Sequence, residues 1–348
     1  MNRRAFIQAL VAAGLFGIAT PFSKSLLVGV QANQLAGLLY LGAAVCLFPL
    51  VLRRWLAGSI IFPRDGRNRR NLLGAILFGG VIGPVLLLVG LKHSLGVSVS
   101  MWLNLEAVAT AVLAHFLFRE HLGKWTWVGN LGIVAAGILL SLTEGWSGWI
   151  GLLCVGGAAV AWGLDNNFTA VIDGISPEDS TFWKGLVAGA TNLAIGLALF
   201  PWQVAPAWLW ALLLGGVSYG ASVALYIRAA QGLGATRAQM IFAAAPFFGV
   251  LLSLVWLRET LNAVQVLAAV LLAGSVALMF RDRHAHVHQH EARFHEHAHL
   301  HDDPHHGHAH AGNLPVTPHT HPHQHTAMAH AHPHWPDLHH RHPHGGLG

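Results

Sequence analysis

From Leu95 to Leu142 the chain reads LGVSVSMWLNLEAVATAVLAHFLFREHLGKWTWVGNLGIVAAGILLSL, an apolar stretch, a short polar break at Arg119-Glu120-His121 and a second apolar stretch. From Leu233 to Phe280 the pattern returns as LGATRAQMIFAAAPFFGVLLSLVWLRETLNAVQVLAAVLLAGSVALMF, which again begins Leu-Gly and breaks at Arg258-Glu259. The chain holds its own second copy of one unit. Near the middle of the first apolar stretch stands Glu106. A carboxylate that deep in a lipid-crossing helix costs roughly 2.5–3.5 kcal/mol or more unless it is partnered or wetted, so a functional site is the default expectation.

The composition fits lipid. Charged residues are 10% and hydrophobic residues 54% of 348 positions, and mean hydropathy is +0.50. A soluble globular chain has about a quarter charged residues. With about 20 mainly apolar residues needed per crossing, ten spans are expected, at 5–29, 32–52, 71–91, 97–118, 126–143, 149–171, 182–200, 207–228, 235–257 and 263–280. The first follows Asn2-Arg3-Arg4 as a signal peptide would, but it is long and lacks a convincing cleavage site, so it reads as a helix.

Arg3, Arg4, Arg53, Arg54, Arg64, Arg67, Arg69, Arg70, Arg119, Lys124, Lys184, Arg228, Arg237, Arg281 and Arg283 all fall on one side of a ten-span arrangement, whereas Lys24, Lys92 and Arg258 lie at or towards the other. Both termini are then cytoplasmic, in an inner or plasma membrane. The net charge of +5 orients the chain in a bilayer, and no nucleic-acid partner is expected. Cys46 and Cys154 lie in apolar runs and make neither a disulfide framework nor a metal cluster. Trp102, Trp125, Trp127, Trp146, Trp149, Trp208 and Trp210 fall mostly near span ends, as an interfacial belt does.

The repeat extends further. Gly17-Ile18-Ala19-Thr20-Pro21-Phe22-Ser23 aligns with Gly163-Leu164-Asp165-Asn166-Asn167-Phe168-Thr169, and Gly79-Gly80-Val81 with Gly215-Gly216-Val217. Each half has five spans, and an odd number turns the second half upside down relative to the first. The expected fold is an all-α membrane protein of ten transmembrane helices in two inverted five-helix repeats, 1–145 and 146–283, followed by a disordered His-rich tail, 284–348. Gly79-x-x-x-Gly83 and Gly216-x-x-x-Gly220 mark close helix contacts.

Beside Glu106, the substrate or coupling-ion candidates are Asp165, Asn166 and Asn167, opposite Pro21 in the aligned repeat. Interrupted helices at matching positions of two halves point to a transporter's binding region, so Pro21 and Pro246 are helix-break candidates. Helix 6 is expected to be irregular at its Asp-Asn-Asn. Tyr219, Ser222 and Tyr226 follow i, i+3, i+7 spacing, which makes one polar face turned inwards. Lys24 either snorkels at the outer interface or pairs with Glu106 or Asp165.

Two halves of five spans, each closing with Arg-Glu-x-Leu (Arg119-Glu120-x-Leu122, Arg258-Glu259-x-Leu261) before a Gly-rich last helix, resemble the EamA-type drug/metabolite transporter superfamily. The resemblance implies a ten-helix permease for small organic solutes such as amino acids or other metabolites, commonly moved outward. No enzyme motif is found, and no cofactor is required.

The tail lies outside that resemblance. It carries His284, His286, His288 and His290, then His295, His297, His299 and His301, then His305, His306, His308 and His310. His319, His321, His323 and His325 follow, then His330, His332 and His334, then His339, His340, His342 and His344. With little apolar surface it is expected to lack regular structure, and its imidazoles suit Zn, Ni, Co or Cu. The reading is a secondary transporter of organic metabolites in the lipid bilayer, with divalent metal ions as partners of the tail. Divalent-metal efflux or metal-gated transport is the alternative, and a metal-responsive membrane sensor or scaffold is the alternative of another class. Oligomeric state is open.

Overall fold

In lipid every backbone N–H and C=O must be satisfied within its own segment, and each apolar stretch accordingly folds as a helix. The computed structural model describes residues 3–118, 122–172, 174–201, 206–233, 238, 241–279 and 281, and tail segments 284–290, 293–299, 319–325 and 328–334. Eight helices are long and apolar enough to cross a membrane: α1 (Arg3–Leu26), α2 (Ala32–Leu56), α3 (Gly66–His93), α4 (Gly96–Leu117), α5 (Lys124–Thr143), α6 (Gly145–Thr169), α7 (Pro177–Leu199) and α8 (Pro206–Ala229). Two further apolar helices are shorter, α9 (Ala245–Trp256) and α10 (Ala263–Met279).

The shortness has local causes. Pro246 lies in the first turn of α9, where its missing N–H is harmless, and the turn at Ala243–Ala244 divides α9 from Ile241–Phe242. At the start of α10, Asn262 and Gln265 cap each other: Gln265 N donates to Asn262 Oδ1 (2.9 Å) and Asn262 N to Gln265 Oε1 (3.0 Å). That reciprocal box fixes where the helix begins.

Four long helices have a break or a widened turn. In α1 the chain turns at Ile18, because Pro21 has no N–H for the Gly17 carbonyl. In α4 the turn is at Leu103–Asn104, where Asn104 Nδ2 bonds back to the Met101 carbonyl at 3.0 Å and competes with the helix. In α3 and α8 the segments Ile76–Ile82 and Gly216–Ala221 are π-helical, so the repeated Gly-Gly-Val motif meets the same widened turn twice. The irregularity expected in α6 is absent: the helix runs unbroken from Gly145 to Thr169. Asn167 donates to the Gly163 carbonyl one turn back at 2.7 Å, reinforcing the turn rather than opening it.

Small residues set the helix separations. A Cβ on Gly37 of α2 would stand 2.5 Å from Leu193 N of α7, and one on Gly163 of α6 would stand 3.0 Å from Thr110 N of α4. Arg54 reaches Asp179 at 3.2 Å, tying the end of α2 to the start of α7. Trp102 departs from the belt expectation. It is 1% exposed, and its indole donates to the Gly137 carbonyl at 3.0 Å.

The chain forms two units, the first containing all ten helices and the second lying in the tail. The tail's described backbone has four strands, β1 (His284–His290), β2 (Arg293–His299), β3 (His319–His325) and β4 (Met328–His334). β1 pairs antiparallel with β4 and β2 with β3, setting His286 opposite His332 and His297 opposite His321. Alternation of His with other residues has the period of a strand. His301, His305, His306, His308, His310, His339, His340, His342 and His344 lie outside the described residues, as do Arg119 and Glu120.

Candidate functional site

Glu106 stands just past the α4 turn, where α4 crosses α6. Its Oε1 accepts from Asn166 Nδ2 at 2.9 Å, and the same amide donates to Thr110 Oγ1, one turn along α4, at 3.1 Å. Asn167 Nδ2 also reaches the Thr110 carbonyl at 3.3 Å. Asp165 points the other way, accepting Lys184 Nζ of α7 on both oxygens at 2.7 and 2.6 Å and the Thr169 hydroxyl at 2.9 Å. The facing residue of α3 is Gly79, where a Cβ would collide with the Asp165 carboxylate. The Gly79 carbonyl lies in the π segment and accepts from Tyr40 OH (2.7 Å) and Trp162 Nε1 (3.0 Å). A widened turn frees carbonyls for such use.

Glu106 is half-buried and Asn166 is exposed. The charges are unequal there. Lys184 is engaged by Asp165, and among the described residues no cation pairs with Glu106, so one carboxylate is left over. Such a group can take up a proton or a cation.

An aromatic row runs along the other helices. Tyr40 of α2 packs on Tyr219 of α8 (ring centroids 5.6 Å), Tyr219 on Phe16 of α1 (5.6 Å), Phe16 on Phe242 (5.4 Å) and Phe242 on Tyr226 of α8 (5.0 Å). Ser222, expected on the same face, is buried and donates to the Ala12 carbonyl of α1 at 2.8 Å. Ser222 therefore holds α8 to α1.

Lys24 joins neither Glu106 nor Asp165. It binds Glu259 Oε1 at 3.1 Å and the Ser94 carbonyl at 2.6 Å. Glu259 also accepts the first N–H groups of α4, from Gly96 and Val97, both at 2.8 Å. A carboxylate there satisfies orphan donors and the helix dipole together. Arg258 takes φ 54°, a left-handed conformation uncommon for a side chain of its size, immediately before Glu259. Glu144 holds the neighbouring Leu95 N–H at 3.0 Å. Together these contacts clasp α1, α4 and the α9–α10 turn at one end of the bundle.

Of the residues singled out by sequence, Glu106, Asp165, Asn166 and Asn167 come together, and Tyr219 and Tyr226 stand in the aromatic row. Pro21 follows the α1 turn at Ile18, and Pro246 lies in the first turn of α9. The sequence reading did not place Tyr40, Thr110, Lys184 or Glu259 in a site. Lys184 carried a signal, a cation inside an apolar stretch next to the helix that bears Asp165. Among the described residues no group of three His, Cys, Asp or Glu gathers as a metal site.

A model of the EamA-like transporter family matches residues 3–143 and again 149–281. The chain belongs to that family and carries two copies of its unit: it is an integral membrane protein of a family that transports small molecules. It is 27% identical over 299 residues to a protein of Methanothermobacter thermautotrophicus described as an "Uncharacterized transporter", covering 79% of this chain and 85% of that one. A solved crystal structure is similar in fold, with TM-score 0.58 and 19% identity over 80% of this chain and 98% of the other.

Proposed function

We propose that the protein is a secondary active exporter of small organic metabolites, and that Glu106 carries the coupling proton. The supporting observation is the half-buried Glu106 inside the helical unit, which has no cation partner among the described residues and is held by Asn166 beside the neutralised Asp165–Lys184 pair. Asn166 bridges Glu106 to Thr110, while Asp165 on the same helix is engaged by Lys184. In this reading the two copies are inverted halves that rock about the site, giving alternating access. Both termini are cytoplasmic by the arginine distribution, so the Lys24–Glu259 clasp closes the outer end while the site is loaded from within. The His-rich tail binds divalent metals such as Zn or Ni and serves as an accessory rather than a transport path. The density of imidazoles in residues 284–348 supports that reading.

The test is flux in proteoliposomes across a metabolite panel, with and without an imposed pH gradient, for wild type and Glu106→Gln. Glu106→Gln keeps the shape and removes the titration. It is expected to insert and melt like wild type while gradient-driven flux falls at least tenfold. Gradient-driven flux that is unchanged in Glu106→Gln contradicts the coupling role.

A further inference from the structure

The connection between α2 and α3 is short and rich in arginine. From Arg53 to Arg70 the chain holds six arginines and one carboxylate, that of Asp65. Two of these charges are engaged within the protein: Arg54 pairs with Asp179 of α7 at 3.2 Å, and Asp65 accepts the Asn68 N–H and side-chain amide, both at 2.8 Å. Arg53, Arg64, Arg67, Arg69 and Arg70 are exposed, and among the described residues none of them pairs with a carboxylate. The connection is held down on α7. Trp183 Nε1 donates to the Ile61 carbonyl at 2.7 Å, and the Phe62 and Trp183 rings meet edge to face at 5.2 Å. Arg69 Nε donates to the Pro63 carbonyl at 3.0 Å, and its guanidinium lies 5.9 Å from the Phe62 ring centre. Trp55, Leu56, Ile60 and Phe62 nevertheless stay exposed. From this pairing of free guanidinium groups with exposed apolar side chains, we propose that the α2–α3 connection binds anionic phospholipid. The arginines take the headgroup phosphates, and Trp55, Leu56, Ile60 and Phe62 enter the boundary with the acyl chains.

Position and charge both favour a lipid as the occupant. Helices α2 and α3 are each long and apolar enough to cross a membrane, so the chain joining them lies at the level of the polar headgroups. Tryptophan is enriched at that level because its ring is apolar at one end and polar at the other. A guanidinium presents its donors in a planar fork that matches two phosphate oxygens, and a basic cluster beside a transmembrane helix draws acidic lipid towards it. A zwitterionic lipid has the same phosphate but neutralises it with its own ammonium group. An acidic protein or a soluble phosphate would meet the arginines and leave Trp55 and Leu56, at the end of α2, uncovered. The site is separate from Glu106, and its fate leaves the coupling role untouched.

The probe is radiolabelled dioctanoylphosphatidylglycerol, measured for binding to the full-length protein purified in a neutral detergent. Its competitors are dioctanoylphosphatidylcholine and glycerol phosphate. Saturable binding is expected, displaced at least about tenfold less well by the zwitterionic lipid and not by glycerol phosphate. The variant carrying Arg53→Gln, Arg64→Gln, Arg67→Gln and Arg70→Gln leaves Arg54 and Arg69 in their structural contacts, and should bind about tenfold or more weakly. A control with Arg3→Gln, Lys124→Gln, Arg228→Gln and Arg281→Gln loses the same charge elsewhere, and should bind within about threefold of wild type. Melting temperature and gel filtration confirm that each variant is folded. If the fourfold variant does not fold, Arg64→Gln with Arg67→Gln carries the same test, with an expected loss of about threefold or more. In wild type, binding should also weaken at least about tenfold at about 1 M salt, where the Debye length is about 3 Å. No saturable binding, equal displacement by the zwitterionic lipid, or binding indifferent to salt or to the loop arginines overturns the proposal. Displacement by glycerol phosphate would make this a site for soluble anions, and an equal loss in the control would trace the binding to net charge; either result also overturns it.

Discussion

At the scale of single residues, the Asp165–Lys184 pair makes the site a matter of charge balance. Removing one member strands the other charge where it is poorly hydrated, a change that costs about 3–5 kcal/mol in buried pairs. Asp165→Asn and Lys184→Met should each lower the melting temperature of the detergent-purified protein sharply, and the double variant should recover most of the loss. Equal melting of the single variants and wild type would mean that the pair at 2.6 Å is loose in solution. Glu106 was legible in the sequence because a carboxylate in an apolar stretch is costly on its own terms. Lys184 was read only as an orienting charge, since spacing along the chain does not reveal that α7 lies against α6. The partner of Lys24 is hidden from the sequence for a related reason. Its partner Glu259 lies 235 positions away, and only the folded chain brings the two together.

Among the elements, the helix ends and irregular turns carry the consequences. Asp65 caps the start of α3, accepting the Asn68 N–H at 2.8 Å. The Asn68 backbone N–H, with the Asn68 side-chain amide, holds its carboxyl below the usual aspartate value. Because the folded value is the lower one, the stabilisation is fully present above the unfolded value of about 3.9 and disappears as pH falls through the folded one. Asp65→Ala should melt below wild type at pH 7 and match it once pH is well under about 3. A deficit that persists in acid would show that the cap acts through something other than its charge. The Glu259 clasp yields a second test. In a background lacking Cys46 and Cys154, Lys24→Met with Glu259→Gln should speed labelling of Ser98→Cys by an impermeant thiol reagent, because Ser98 is fully buried behind the clasp. Labelling at the unaltered rate would show that those contacts do not gate this end. The π segments of α3 and α8 were marked in the sequence by Gly-Gly-Val, but a repeated glycine pair reads equally as close packing. The α4 turn rests on Asn104, which periodicity cannot distinguish from any polar residue on an inward face. In α6 the polar triplet suggested a break, yet the Asn167 amide turned back on its own helix.

At the scale of the molecule, the two-copy organisation could be read in advance from Leu-Gly and Arg-Glu-x-Leu recurring at matching positions, and the family match to 3–143 and 149–281 bears it out. The lengths of α9 and α10 were less accessible, because a proline and a reciprocal cap shorten helices that hydropathy alone extends. The tail's alternation of His with other residues was read for its ligands and not for its period, and the strand pairing went unforeseen. Removing residues 284–348 should leave insertion and organic flux intact while abolishing high-capacity zinc or nickel binding to the purified protein. Loss of insertion on truncation would make the tail part of the fold. The central claim is that a site around Glu106 opens in turn to each side of the membrane. It is tested most directly by Thr110→Cys, in the same background without Cys46 and Cys154, labelled with an impermeant thiol reagent in right-side-out and inside-out vesicles. The account predicts labelling from both sides, with the faster side exchanging when the pH gradient is reversed. Labelling from one side only, whatever the gradient, would contradict it.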